Sequence, residues 1–241
     1  MIQHFLLTRF NIKIDRWQTA RGGIDVRSES WLEDRFELFK NYCLPSVLQQ
    51  SNRDFTWCIL MDLDTPQEYK GRMRRLLRGH DHIHVGQIRN GHLFGNFFRK
   101  FIRKQLHSDT EFVITTRMDN DDIIRHNFID QIQSKFSSKD DVVIDCANGY
   151  QLDIRREESK LYDYNKPFNH FISYVERVKP DHIETVICRQ HRMWAESKNI
   201  ITIDQRLWIE LIHKNNYANR LIDKLPVTEN FGKSAFALDG L

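Results

Sequence analysis

Proline and glycine are scarce, with five and ten in 241 residues. That excludes collagen-like and linker-rich architectures and leaves most of the chain free for helices and strands. There are only four cysteines, Cys43, Cys58, Cys146 and Cys188, and no C-x-x-C pair. A zinc ribbon or thioredoxin-like site is therefore excluded. Cys58 and Cys146 fall in apolar runs as small buried hydrophobes, the usage of a reduced, cytoplasmic protein. No stretch is apolar for long enough to span a bilayer, and Met1 to Arg9 lacks the basic start and length of a signal peptide. Peripheral contact is the membrane association left open. Charge of one sign is also lacking: the formal net charge is +3, too little to imply nucleic acid, and no nucleic-acid partner is expected. The densest basic run, Arg72 to Arg78, suits the solvated face of a helix. A P-loop is missing as well, because Val227 stands where Gly232-Lys233-Ser234 needs its first glycine.

What is present is a 40% apolar, 29% charged chain, enough to bury one sizeable core. Two periodicities alternate along its first 146 residues. Strands are predicted at Phe5 to Phe10, Phe55 to Met61, His82 to Ile88, Phe112 to Thr116 and Val142 to Ile144. Between them, apolar residues at helical spacing predict helices over about Glu29 to Gln50, from Pro66, from Phe94 to Leu106, and around Phe128 to Phe136. Pro45 should kink or break the first of these, and Pro66 should open the second. The order is that of an α/β fold with a mostly parallel sheet and helices on both faces. We read residues 1–241 as a single domain, with a nucleotide-binding half to about 146 and an acceptor-side half beyond it. In the second half, Gly149 to Ile154 and Ile183 to Cys188 look strand-like, and Asp204 to His213 looks like a short helix.

Ligands of open parallel sheets bind beyond the carboxyl ends of the strands. Strand one ends at Thr8-Arg9-Phe10-Asn11, the strand from Phe55 at Asp62-Leu63-Asp64-Thr65, and the strand from Phe112 at Arg117-Met118-Asp119-Asn120-Asp121-Asp122. Carboxylates and an arginine therefore converge on one sheet edge. Three acids within four residues repel one another unless a cation binds, water solvates them, or one caps a helix. Hard Mn²⁺ or Mg²⁺ ions prefer such oxygens and share their shell with phosphates. Asp122 is also placed to cap a helix running on from Arg125.

The segment Arg117 to Ile124, followed by Asn127-Phe128-Ile129, resembles the D-x-D region of GT-A glycosyltransferases. Three further segments, Arg35 to Val47, Phe55 to Pro66 and Arg206 to Asn216, resemble the bacterial rhamnosyltransferase family of GT-A type. The resemblance implies a GT-A-like fold and a metal-dependent transfer of a sugar, rhamnose being the hint, from a nucleoside-diphosphate sugar to a glycan, lipid-linked or other hydroxyl acceptor. It also implies roles: Asp121 as main metal ligand, Asp119 as ribose or metal contact, Asp62 on the base, Arg9 in the nucleotide pocket, and His213 completing the metal shell. This chain has Lys214 where relatives often have glycine. If transfer inverts, a general base is needed; Asp204, Glu184 and Asp181 are the candidates, with Asp204 favoured. Trp194 and Trp208 are either core or stacking platforms.

Two other readings compete. Asp62-Leu63-Asp64-Thr65 matches the D-x-D-x-T of haloacid-dehalogenase-like phosphatases, with Asp62 as nucleophile and Asp64 as acid, although that motif usually opens its domain. The other is a nucleotide- or sugar-binding module without turnover.

Overall fold

The computed structural model describes residues 1–14, 25, 28–216, 219–228 and 231–238. Its main sheet has seven strands: β1 (Ile2–Arg9), β2 (Thr56–Asp62), β3 (Ile83–Ile88), β4 (Phe112–Arg117), β6 (Val142–Asp145), β9 (Ser173–Arg177) and β10 (Asn199–Thr202). Their spatial order is β10-β6-β9-β4-β1-β2-β3, and β9 alone runs against the others. The mostly parallel α/β fold expected from the sequence is thus present. β1 is flanked by β2 on one side and β4 on the other, so the connections reverse direction between β1 and β4. Doubly wound sheets open a crevice at such a point.

The central strands are buried on both faces. Leu6, Trp57, Ile59 and Ile114 pack with Phe36, Phe39, Val47, Met73 and Phe128. These come from α1 (Glu29–Leu38), α2 (Leu44–Leu48), α3 (Gln67–Leu76), α5 (Phe128–Gln133) and the turn joining α1 to α2. On the other face, Phe5, Leu7, Cys58, Leu60 and Val113 meet Phe98 and Ile102 of α4 (Phe94–Gln105) together with Trp194. Both tryptophans flagged in the sequence are core: Trp194 and Trp208 have no exposed surface. Trp208 stacks on Phe171 at 4.9 Å and lies so close to Gly149 that a Cβ there would come within 2.2 Å of its ring. Only glycine fits that position.

The predicted long helix 29–50 is interrupted as expected, but by widening rather than breaking. Phe39–Cys43 forms a π turn, with the Leu44 N–H reaching back to the Phe39 carbonyl. Pro45 follows directly; it has no N–H for the carbonyl four residues back, and its ring crowds that carbonyl, which a wider turn relieves. Pro66 stands one residue ahead of α3, at its N-cap.

A second sheet has the order β5-β11-β7-β8, with β5 (Ile123–Ile124), β7 (Asn148–Asp153), β8 (Lys160–Asn165) and β11 (Trp208–Ile212). Three expectations fail here. Asp204 to His213 is not a helix: β11 occupies it, drawn into extended form by pairing with β7 and β5. Its buried run Trp208 to Ile212 satisfies both faces of a strand as readily as a helix, an ambiguity that short apolar runs always carry. Asp122 caps no helix, because β5 follows it and α5 begins only after Asn127. Ile183 to Cys188 forms no strand; its end is a 3₁₀ turn, Val186–Cys188.

His4 on β1 has a fold-level consequence. It is buried between Thr116 Oγ1, 2.7 Å away, and the Gln133 amide, and burial depresses its pKa to about 3. The unfolded chain therefore binds one more proton below the usual histidine pKa. Stability is intact above about pH 6.5 and falls by about 1.4 kcal/mol per pH unit as pH drops toward the folded value. Urea unfolding at pH 7 and pH 5 should show a loss on the order of 2 kcal/mol from this group, and His4→Gln should flatten that slope.

Candidate functional site

The acidic cluster lies just beyond the carboxyl end of β4, where β4 adjoins β1, and links the two sheets. β4 delivers Arg117, the chain passes through Asp119 to Asp122, and β5 then pairs with β11, with Ile123 beside Ile209. The four residues are therefore held from both ends, and their side chains separate into two groups.

Asp119 is the most exposed of the three acids. The Arg117 guanidinium lies 3.2 Å from its Oδ1 and 3.3 Å from its Oδ2, and Arg9 lies 3.5 Å from Oδ1. Burial would raise its pKa, but Arg117, His170 and Arg9 outweigh this and hold the carboxyl far below the usual range. Asp122 is fully buried; its Oδ2 is 2.6 Å from His170 Nε2, and its Oδ1 accepts the Leu211 N–H. Burial pushes the Asp122 carboxyl up, opposed by His170 and reinforced by Asp121 and Asp119. On His170 burial works against a proton, yet Asp122, Asp119 and Glu210 hold one there, so the pair retains a proton near neutral pH.

Asp121 turns the other way. Its Oδ2 is 2.5 Å from Arg35 and 3.0 Å from His213 Nε2, and all three side chains are under 10% exposed. Burial opposes its ionisation, but Arg35 and His213 lower its pKa. Arg35 also donates to Asn120 Oδ1 at 3.1 Å and lies over the Trp31 ring. Asn120 in turn donates to the Phe10 carbonyl at 2.6 Å, tying the cluster to the end of β1.

The other expected residues lie along the same edge. The Asp62 carboxylate, at the end of β2, accepts the backbone N–H groups of Lys13 and Asp64 at 3.3 and 2.8 Å. Asn11 bonds the Asp62 N–H and Thr65, so this corner stiffens the loop after β1. A phosphatase nucleophile must present a free oxygen to substrate; Asp62, 1% exposed with both oxygens accepting hydrogen bonds, does not. Asp204 follows β10 and is exposed. It stands three strand spacings from β4, about 14 Å, on the same carboxyl-terminal edge. Glu184 is already engaged by Arg189 and the Cys188 thiol, and Asp181 is exposed.

Among the described residues, Asp119, Asp122 and His170 form a trio whose donor atoms all lie within 4.8 Å. Two carboxylates and an imidazole suit a divalent ion of the Mn²⁺ type by chemistry and spacing. Sequence reasoning missed His170, which enters from the loop between β8 and β9 with no local signal. It also missed Arg35, although that one was findable: Arg35 sits with Leu32 and Phe36 on the buried stripe of α1, where a lone charge demands a partner.

Comparison with known proteins sharpens this picture. Residues 3–225 match the model of a family described as "Putative rhamnosyl transferase". The chain belongs to that family. The match takes in Arg9, Asp62, the acidic cluster, Asp204 and His213 together. No curated protein matches this family member. Among solved structures, it is similar in fold to residues 1–349 of S. aureus TarS. Against the complex with UDP-GlcNAc the TM-score is 0.50 at 12% identity, covering 91% of this chain and 62% of that one. Against TarS 1–349 without a named ligand the TM-score is 0.48 at 13% identity, covering 87% and 60%. The chain thus spans about three fifths of those TarS chains. Among the described residues, no helix is long and apolar enough to cross a membrane.

Proposed function

We propose that this protein is a divalent-cation-dependent glycosyltransferase that moves a sugar, rhamnose by family membership, from a nucleoside-diphosphate donor to a hydroxyl of a glycan or lipid-linked acceptor. The observation that carries this is the placement of Arg9, Arg117 and the acidic cluster at the point where the sheet reverses direction. Cations of two strands and the trio of Asp119, Asp122 and His170 converge where a diphosphate would lie. Membership of the rhamnosyl transferase family and likeness in fold to TarS support the same reading.

In this scheme Arg9 and Arg117 turn toward the diphosphate and stabilise the charge that grows on it as the bond from the anomeric carbon to phosphate oxygen breaks. The acidic cluster would hold a Mn²⁺ or Mg²⁺ ion, which would supply Lewis-acid stabilisation of that leaving group. The corner built by Asn11 and Asp62 forms the base end of the pocket. The acceptor oxygen bonds to the anomeric carbon and gives up its proton, in an inverting reaction, to Asp204. That residue is exposed on the same edge, whereas Glu184 is tied to Arg189. Free cysteines and the requirement for an activated-sugar donor fit a cytoplasmic enzyme working on soluble or membrane-apposed acceptors.

The test is to incubate the protein with a panel of nucleoside-diphosphate sugars and Mn²⁺ and measure release of nucleoside diphosphate. Release above background with one donor is expected, lost with EDTA and restored by Mn²⁺. No release with any donor, together with phosphate release from simple phosphomonoesters, would favour the phosphatase reading.

A further inference from the structure

The turn between β8 and β9 is held in a conformation that its sequence does not favour. Phe168 has a φ of +51°, in the left-handed region that a bulky side chain seldom enters. The turn is locked there from several sides. The Lys166 N–H donates to the Ala147 carbonyl at 2.8 Å, and the Phe168 N–H to Asp145 Oδ1 at 3.1 Å. Asn169, fully buried, donates to the carbonyls of Cys146 and Lys166 and accepts the Phe171 N–H. Strain upheld by this many partners points to a use for the backbone it places.

The group it places is the Phe168 carbonyl, 2.5 Å from His191 Nδ1. A carbonyl oxygen only accepts, so the ring proton sits on Nδ1 and Nε2 carries a bare lone pair. Burial lowers the His191 pKa to about 4, with Arg117, His170 and Lys166 acting in the same direction, so the ring is neutral at pH 7. Among the described residues Nε2 has no hydrogen-bond partner, and the side chain is half-buried rather than sealed. His191 opens the 3₁₀ turn His191–Glu196, which Trp194 anchors in the core. Its ring stands edge-on to that of His170, 6.4 Å away, and His170 in turn reaches Asp122.

The carboxylates of the cluster are already committed. Asp119 faces Arg9 and Arg117, Asp121 faces Arg35 and His213, and Asp122 takes His170 and the Leu211 N–H. A sugar hydroxyl entering beside them needs an acceptor for its own proton, and His191 Nε2 is a fixed and uncommitted one.

We propose that His191 is a sugar-contacting residue, its Nε2 accepting a hydrogen bond from a hydroxyl of the donor sugar or of the acceptor, with the strained turn at Phe168 fixing the tautomer that leaves Nε2 bare. This rests on the glycosyltransferase reading above and is independent of which groups hold the ion. The contact binds and orients; no proton is transferred.

Two variants divide the work of the ring. The amide of His191→Asn reaches the place of Nδ1, so it keeps the bond to Phe168 and removes the outer acceptor. The amide of His191→Gln reaches the place of Nε2, so it restores an outer acceptor without the inner donor. Release of nucleoside diphosphate from the donor found in the panel is measured in water alone and with methyl glycosides as acceptors. His191→Asn should lose roughly tenfold in kcat/KM at an unchanged melting temperature, and His191→Gln should recover most of it. An equal loss in water and with glycosides assigns the contact to the donor sugar; a loss confined to glycosides assigns it to the acceptor. An active His191→Asn beside an impaired His191→Gln would overturn the proposal, because only the inner bond would then matter. Should His191→Asn misfold, imidazole ¹⁵N resonances of the wild-type protein in Mg²⁺ decide. They should show the proton on Nδ1, and the donor or a methyl glycoside should move the Nε2 resonance where nucleoside diphosphate alone does not. A proton on Nε2, or a resonance that neither sugar moves, would overturn the contact while leaving the transferase reading standing. A wild-type protein that releases nucleoside diphosphate from no donor would overturn both.

Discussion

Asp119→Asn is expected to reduce sugar transfer by roughly 100- to 1000-fold while lowering the melting temperature by less than Arg35→Met does. The reasoning combines position and exposure. Asp119 is the most exposed acid of the cluster, its side chain 30% exposed. Its two arginines are also partly solvated, so loss of the charge strands no fully buried cation. What asparagine removes is the anionic oxygen that pairs with Arg9 and Arg117 and that the proposed cation site would use. Transfer rate with saturating donor and a thermal melt of the same preparation check both halves. Activity within a few-fold of wild type would remove Asp119 from the machinery.

Arg35→Met should act the other way, chiefly on stability. Arg35 and Asp121 are both about 8% exposed at 2.5 Å, and removing the guanidinium leaves Asp121 charged and buried with only His213 beside it. Breaking one side of such a pair costs about 3–5 kcal/mol. For a chain of this size that is a fall of roughly 10 °C in melting temperature. Pairing it with Asp121→Asn should recover part of the loss, because the stranded charge is gone, and a double-mutant cycle measures the coupling. If Arg35→Met melts like wild type, Arg35 is not what holds Asp121.

The contrast between these two substitutions separates Asp119 from Asp121, the partner of Arg35 only two positions along the chain, and it marks how far sequence alone reached. The strand ends were legible because buried parallel strands are continuous apolar runs, so the polar residues just after Thr8, Met61 and Thr116 stand out and fall on one edge. The direction of each acid was not legible. Asp119, Asp121 and Asp122 are near neighbours, but their orientation is set by β5 pairing with β11, a contact spanning more than 80 residues. The same long-range pairing turned the supposed helix at Asp204 to His213 into a strand. Partners that arrive from distant parts of the chain, such as His170 from the loop before β9 and Glu210 from β11, leave no mark near the motif they adjoin. Arg35 did leave one, as a charge on an apolar stripe.

The most direct test of the central claim is calorimetry of a nucleoside diphosphate with the wild-type protein, with and without Mn²⁺. Mn²⁺ should strengthen binding by tenfold or more, equivalent to about 1.4 kcal/mol, and Asp119→Asn should abolish the enhancement. Binding of equal strength with and without the ion would contradict a cation-dependent donor site at the acidic cluster.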